Sequence, residues 1–131
     1  MILVDTCAWF AAFIPDDPDY AAASAWLENN EQPLITTDYI IDETLTLMRA
    51  RRQRQRAIHI GAQFFAGELA KVHGVTDEQF RRAWDVFRAF ADKDWSFTDC
   101  TSKVVIEQSG TGTAFTFDHH FRQFGTVAVV P

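Results

Sequence analysis

Short, mainly apolar runs alternate along the chain with longer amphipathic stretches. The runs at 2–4, 34–36, 114–117 and 127–130 predict strands buried on both faces, and 71–75 is expected to hold a further short strand. Helices are predicted over 6–14, 17–30, 54–72 and 99–108. Two more are expected to begin at 37 or 38 and after 76–79, and 119–124 is expected to form one or two helical turns. Because apolar strands separated by helices form parallel sheets covered on both faces, we expect an α/β protein, a three-layer α/β/α sandwich with a mainly parallel central sheet.

Several helix starts and buried helix faces can be predicted from side-chain chemistry. Asp17 before Pro18 is expected to cap the second helix, and Thr98 to cap a helix that Asp99 opens. The segment 76–79, Thr-Asp-Glu-Gln, has the sequence of a capping box. The residues expected to face the core from the helices on either side of this segment are Ile58, Ala62, Phe65 and Leu69, and Phe80, Trp84, Phe87 and Ala91.

The composition is typical of a globular chain without internal divisions. Its 131 residues, of which 47% are hydrophobic, suit one domain spanning 1–131, and no linker-like stretch divides it. The apolar first fifteen residues lack a preceding basic residue, and Asp5 interrupts them, so we expect a cytoplasmic protein without a membrane segment. A net charge of −6 disfavours nucleic-acid binding by bulk electrostatics but leaves local phosphate contacts open.

Four acidic residues stand out by their position. Asp5 ends the first strand, Asp118 follows the strand at 114–117, and Asp99 lies at the start of a helix. Glu43 lies on or beside an apolar helix face, where a solvated glutamate is unexpected. Each has an ordinary alternative: Asp99 as a helix-dipole charge, Asp118 as a turn residue, and Glu43 as a buried partner of an arginine.

Taken together, the four acids indicate a metal centre, because ligands bind beyond the carboxyl ends of parallel strands. Clustered carboxylates raise one another's pKa and need a cation to stay ionised. An all-oxygen site suits Mg²⁺ or Mn²⁺, which can activate water and offset charge on a phosphoryl oxygen. The chemistry expected of such a site is phosphodiester hydrolysis.

The remaining polar features allow more than one interpretation. Cys7 and Cys100 are interpreted as buried thiols, the alternative being a mixed zinc site with His119 and His120. The two histidines are otherwise expected to have structural or supporting roles, with direct substrate contact as the alternative. Five arginines could bind RNA phosphates, meet an acidic partner or only be solvated: Arg49, Arg51, Arg52, Arg54 and Arg56.

Four segments give the chain a family resemblance: ILVDTCAW, DYIIDETLTLMR, DWSFTDCTSKVVIE and AFTFDHHFRQFG. In this order and spacing they resemble the PIN-domain ribonucleases, and most closely the VapC-type toxins of bacterial toxin–antitoxin pairs. The resemblance implies the fold expected above and assigns metal coordination to the four acids. It also places two hydroxyls beside the site, those of Thr6 and Ser102. Lys103 departs from the pattern, which more usually has an apolar residue there.

The resemblance further implies RNA as substrate, metal-bound water rather than a histidine as the source of the nucleophile, a small antitoxin as partner, and a homodimer. The leading hypothesis is therefore a metal-dependent endoribonuclease toxin, with Arg49, Arg51 and Arg52 as candidate RNA contacts. One alternative is a catalytically inactive PIN-fold module that binds RNA or protein. Another is a phosphatase with Asp5 as nucleophile, but that class would need an Asp at position 7, which is Cys7. Among the four acids, Asp118 is the one most expected to act from outside the coordination shell or to bind a second metal ion.

Overall fold

The fold is an open, all-parallel sheet flanked by helices, seen in a computed structural model that describes all of residues 1–131. The strands are β1 (Ile2–Val4), β2 (Leu34–Thr37), β3 (Lys71–His73), β4 (Thr113–Phe115) and β5 (Ala128–Val130). The helices are α1 (Thr6–Phe13), α2 (Tyr20–Asn29), α3 (Asp38–Ala50), α4 (Arg54–Phe65), α5 (Asp77–Ala89) and α6 (Phe97–Ser109). A 3₁₀ helix, His119–Phe124, precedes β5. The structure contains no helix of the length and apolarity that crossing a membrane requires.

The sheet has the order β3-β2-β1-β4-β5, which confirms the predicted fold class. From β1 the chain proceeds through β2 to β3 at one edge, and then crosses back to β4 and β5 on the other side of β1. Because parallel crossovers are right-handed, this reversal places α1–α4 on one face and α5 and α6 on the other. The point of reversal lies between β1 and β4, which are direct neighbours.

The core is aromatic on the α1 side of the sheet. The indole ring of Trp9 is fully buried and packs edge-on against Phe64 of α4, with 5.1 Å between ring centroids. Trp26 of α2 packs on Phe115 of β4 at 4.1 Å. These contacts fix α1, α2 and α4 against the sheet, and they hold the segment that follows β1 in place.

The predicted bounds and faces of α2 and α4 were partly wrong. Asp17 does not cap α2, because its carboxylate accepts a hydrogen bond from the Asp19 amide at 2.8 Å and forms a turn, so the helix begins at Tyr20. Helix α4 ends at Phe65 rather than near 72. Its buried face consists of Ile60, Gly61 and Phe64, whereas Ile58 and Phe65 of the predicted stripe are 63% and 84% exposed.

The aromatic face of α5 is the largest departure from the expected burial. The capping box is present, with Thr76 accepting from the Gln79 amide, but Phe80, Trp84 and Phe87 are 44%, 52% and 42% exposed. The helix buries Gln79 and Ala83 instead. Ala91 lies beyond the helix end and is exposed. Phe80 and Phe87 pack against Phe97 of α6, at 5.4 and 6.0 Å between ring centroids, and remain partly exposed.

Helix α6 begins two residues before the predicted start. Ser96, not Thr98, is the N-cap: its hydroxyl accepts from the Asp99 amide at 3.0 Å, and the Asp99 carboxylate accepts from the Ser96 amide at 3.0 Å. Asp99 is therefore the third residue of a capping box rather than the residue that opens the helix. Helix α3 does begin where expected, with Thr37 as its N-cap: the Thr37 hydroxyl accepts from the Ile40 amide at 3.1 Å.

Candidate metal centre

The candidate site lies at the carboxyl ends of β1 and β4, where the connections from neighbouring strands leave in opposite directions. Asp5 directly follows β1, and Thr116 and Asp118 follow β4. In open parallel sheets, this point of reversal leaves a crevice in which ligands bind. Glu43 and Leu47 of α3 and the start of α6 supply the remaining walls.

All four predicted acids line one cavity of about 280 Å³ at this point. They are Asp5, Glu43, Asp99 and Asp118. Asp94, a fifth carboxylate that the sequence analysis did not select, also lines it, as do Ser96 and His120. A larger open depression of about 820 Å³ at the amino ends of β1 and β4 has Glu31 as its one acidic lining residue. The acid cluster is thus confined to the carboxyl edge of the sheet.

Thr116 holds the Asp5 carboxylate in place. The Thr116 hydroxyl donates to Oδ2 of Asp5 at 3.2 Å and accepts from the Asp118 amide at 3.0 Å. The Cys7 thiol lies 3.4 Å from the same oxygen of Asp5 and accepts from the Phe117 amide at 3.3 Å. Sequence reasoning missed Thr116 because it assigned this residue to a strand, although the spacing Thr-Phe-Asp was available as a signal.

Burial and mutual repulsion make the cluster costly to ionise. Burial, and then repulsion from Asp99, raises the pKa of Asp5 to about 7. The pKa of Asp99 is also raised, chiefly by burial and by the Asp118 charge, while the Ser96 amide and His120 act in the opposite direction. Burial and the nearby Asp5 charge raise the pKa of the Cys7 thiol to about 12. A cation in the cavity would relieve the repulsion that these shifts express.

His120 lies between two of the acids. Its Nδ1 atom is 3.2 Å from Oδ2 of Asp99 and 3.2 Å from Oδ1 of Asp118. Its backbone amide donates to Oδ1 of Asp118 at 2.9 Å. His119 points outward, with its side chain 76% exposed and its Nδ1 3.8 Å from Asp118. The two adjacent histidines therefore differ in their relation to the cluster.

The two predicted hydroxyls lie in the interior, and both lack a partner. Thr6 lines the cavity, and its buried Oγ1 makes no hydrogen bond. The Ser102 Oγ is likewise buried and unpartnered, one helical turn after Asp99. A buried hydroxyl without a partner is uncommon, and at Thr6 it is consistent with a ligand or water in the cavity. Cys100 is a buried thiol as expected, whereas Cys7 is half-buried and faces the site.

The arginines lie away from the acids. Arg49 and Arg51 are exposed near the end of α3, and Arg52 follows with a left-handed φ of 59°. At about 1.5 Å of rise per residue, Arg51 is about 12 Å along the helix from Glu43. None of them lines the cavity.

The donors present fit a divalent cation. Carboxylate oxygens are the ligands that Mg²⁺ and Mn²⁺ prefer, and the cavity presents five carboxylates with an imidazole nitrogen. Asp118, His119 and His120 alone offer three donor atoms within 4.8 Å of one another. The unpartnered Thr6 hydroxyl and the raised pKa of Asp5 are consistent with this fit.

A doubly flanked parallel sheet with carboxylates at its point of reversal defines an α/β protein with an acidic, metal-type site. The profile of the PIN domain matches residues 2–127, and the chain belongs to the PIN domain family. The 23S rRNA-specific endonuclease VapC20 of Mycobacterium tuberculosis is 30% identical over 131 residues, which cover 100% of this chain and 99% of that protein. The VapC ribonuclease of Archaeoglobus fulgidus is 30% identical over 111 residues, covering 81% and 70% of the two chains.

Solved structures agree with this assignment. The crystal structure of M. tuberculosis VapC20, described as a Sarcin-Ricin loop cleaving toxin, has a TM-score of 0.92 with 27% identity over both full chains. The FitAcB structure from Neisseria gonorrhoeae has a TM-score of 0.71 with 14% identity, covering 100% of this chain and 97% of that one. The second likeness shows the fold alone.

Proposed function

We propose that this protein is a metal-dependent endoribonuclease that hydrolyses RNA phosphodiester bonds as the toxin of a VapBC-type pair. The observation that carries the proposal is the convergence of Asp5, Glu43, Asp99 and Asp118 on one cavity, in a chain that aligns over its full length with the 23S rRNA-specific endonuclease VapC20. The reaction is metal-assisted hydrolysis, with Mg²⁺ or Mn²⁺ as the cation.

The chain's own residues hold and orient the reacting groups. Asp5 and Asp99 are 3% and 5% exposed, so they form the floor of the site, while Glu43 and Asp118 are half-buried at its rim. Thr116 orients Asp5, and the capping box fixes one oxygen of Asp99. A bound divalent cation supplies a Lewis acid that activates water and offsets negative charge on the phosphoryl group. The Thr6 hydroxyl is placed to bind a water in the cavity.

The direct test is RNA cleavage by wild type, Asp5→Asn and Glu43→Gln, with Mg²⁺ or Mn²⁺ and with EDTA. We expect cleavage by wild type only, and only with metal, because each variant removes a charged ligand. Products should carry 5′-phosphate and 3′-hydroxyl ends, since the 2′-hydroxyl is not the nucleophile. Equal cleavage by all three proteins, or 2′,3′-cyclic phosphate ends, would contradict the proposal.

An inactive PIN-fold module is the second candidate. A module of this kind gains nothing from burying two carboxylates beside each other, because each raises the energy of the other. The same assay separates the two candidates: RNA binding without metal-dependent cleavage would favour the module.

The arginines at the end of α3 are proposed to bind RNA phosphates beyond the scissile bond. Arg49, Arg51 and Arg52 are exposed and adjacent in a chain of net charge −6, so they concentrate positive charge on the helix that carries Glu43. We expect Arg49→Ala/Arg51→Ala to raise KM with little change in kcat, because these residues do not touch the acids. Arg81→Ala on α5 is the control; a lower kcat with unchanged KM in the double variant would contradict the role.

The proposed partners are a small antitoxin protein and a second copy of this chain. The antitoxin is supported by the match to VapC relatives, and co-purification with the product of an adjacent small reading frame tests it.

The homodimer is supported by the α5 surface, which we define as Phe80, Trp84 and Phe87 with the flanking charges of the same helix. Exposed aromatic patches rimmed by charge mark association sites. The pairs Glu78–Arg82 and Asp85–Arg88 give this surface both signs of charge, as a two-fold contact requires.

A further inference from the structure

We infer that His120 is a nitrogen ligand of the metal, so that the centre is a mixed oxygen–nitrogen site that favours Mn²⁺ over Mg²⁺. This inference rests on the proposed metal site and adds to it a residue that the four-acid pattern does not contain. The structural basis is the position of the His120 Nδ1 atom between Asp99 and Asp118.

The distances match those between neighbouring ligands of one ion. Donor atoms about 2.1 Å from an octahedral cation are about 3 Å apart when they occupy adjacent positions. Nδ1 of His120 is 3.2 Å from Oδ2 of Asp99 and 3.2 Å from Oδ1 of Asp118. A small movement of these side chains would therefore bring all three atoms onto one ion.

The backbone holds the imidazole in this position. Asp118 caps the 3₁₀ helix and accepts from the His120 amide at 2.9 Å, so the carboxylate and the ring are fixed on the same turn. The His120 side chain is only 17% exposed, and its ring lies against the ring of His119 at 4.4 Å between centroids. The ligand position is thus largely formed by the fold.

The second ring nitrogen supports the same orientation. Nε2 of His120 makes no hydrogen bond within the protein and is not among the buried unpartnered atoms. Without a metal, Nδ1 donates to the Asp99 carboxylate; with a metal bound, the ring proton can lie on Nε2 and donate to solvent, so that the Nδ1 lone pair binds the ion.

Metal preference follows from ligand chemistry. Mg²⁺ strongly prefers oxygen donors, whereas imidazole nitrogen is a better ligand for transition metals. Loss of His120 should therefore weaken Mn²⁺ binding more than Mg²⁺ binding. Since even indirect metal contacts change affinity about 10–100-fold, we expect the Mn²⁺ Kd of His120→Ala to rise by at least about tenfold.

The test is pulsed EPR on the full chain with one equivalent of Mn²⁺, which detects ¹⁴N nuclei bonded to the ion. We expect ¹⁴N modulation in wild type and in His119→Ala, and its loss in His120→Ala and His120→Asn. His119 is the matched control, because it is the adjacent histidine but is 76% exposed. Circular dichroism establishes that each variant is folded, and two substitutions guard against a local defect of one of them.

The outcomes separate this inference from the proposed function. Bound Mn²⁺ without ¹⁴N modulation in wild type would overturn the role of His120 as a ligand, and so would modulation that persists in both His120 variants. Neither result would contradict metal binding by the acids. Loss of the modulation in His119→Ala, with modulation retained in both His120 variants, would show that His119 rather than His120 is the ligand. A Mn²⁺ spectrum identical to that of the free ion would overturn both the metal site and this inference.

Discussion

The hydroxyl of Thr116 donates a hydrogen bond to Oδ2 of Asp5 across 3.2 Å, although 111 residues separate the two in sequence. The same oxygen atom of Thr116 accepts from the Asp118 amide, so one side chain joins the residues that follow β1 and β4. Neighbouring strands end at the same edge of the sheet, and Thr116 fixes the relative positions of the two acids there.

Thr116→Val should weaken metal binding about tenfold or more, because it removes the hydroxyl that orients Asp5. The protein should stay folded, because valine has nearly the same volume as threonine. Isothermal titration with Mn²⁺ measures the change. Thr113→Val is the control, since Thr113 begins β4, the strand that Thr116 follows, and lies at the opposite end of the sheet. Equal Kd values for both variants and wild type would show that Thr116 does not position the site.

Metal-free protein should become less stable as pH rises from about 4 to 7. Over this range Asp5 is ionised in the unfolded chain but stays protonated in the folded one, because burial raises its pKa to about 7. Unfolding then releases a proton, and the free energy of unfolding falls with pH, by at most about 4 kcal/mol from this group. Asp99, whose pKa is also raised, contributes in the same direction.

Urea unfolding in EDTA at several pH values, for wild type and Asp5→Asn, measures this effect. The variant should show a shallower slope and should be the more stable protein at pH 7.5 without metal. Adding Mg²⁺ at pH 7.5 should stabilise wild type and have little effect on the variant. Parallel pH curves for the two proteins would contradict a raised pKa of Asp5.

Ser96→Ala should both destabilise the protein and weaken metal binding. It removes the acceptor for the Asp99 amide, a loss that typically costs about 1 kcal/mol, and it loosens the turn in which the backbone amide of residue 96 holds the Asp99 carboxylate at the site. Thr76→Ala is the matched control, because it removes the other capping-box hydroxyl on α5, away from the acids. Both variants should lose similar stability, but only Ser96→Ala should raise the Mn²⁺ Kd. If both raised it equally, the effect would be global rather than local.

Trp84→Glu should convert a dimer to a monomer, because it places a charge in the centre of the α5 surface, where the side chain is 52% exposed. Light scattering after size-exclusion chromatography measures the mass. Phe65→Glu is the control: Phe65 is more exposed, at 84%, but belongs to α4 rather than to that surface. A monomeric wild type, or dissociation by Phe65→Glu alone, would refute the α5 contact.

The sequence alone determined the order and type of the elements, and it selected four of the five acids that line the cavity. The apolar run Ile2–Val4 and the mainly apolar segment around β4 are specific enough to predict buried parallel strands. Asp5 directly after the first run is hard to explain without a site, because an unpaired buried carboxylate is costly. The periodicity of a helix, by contrast, does not identify the side that faces the core. Phe80, Trp84 and Phe87 were therefore expected to be buried, but Ala83 lies on the buried side of α5 and all three rings are partly exposed.

Only the tertiary structure decided how the acids are held. Ser96 rather than Thr98 caps α6, because local backbone geometry selects between hydroxyls two residues apart, and this makes Asp99 both a capping residue and part of the cavity. The contacts of Thr116 with Asp5 and of His120 with Asp99 join distant segments, and no local pattern encodes such distances. Sequence spacing specifies which chemistry is available, whereas the pairing of strands brings it to one place.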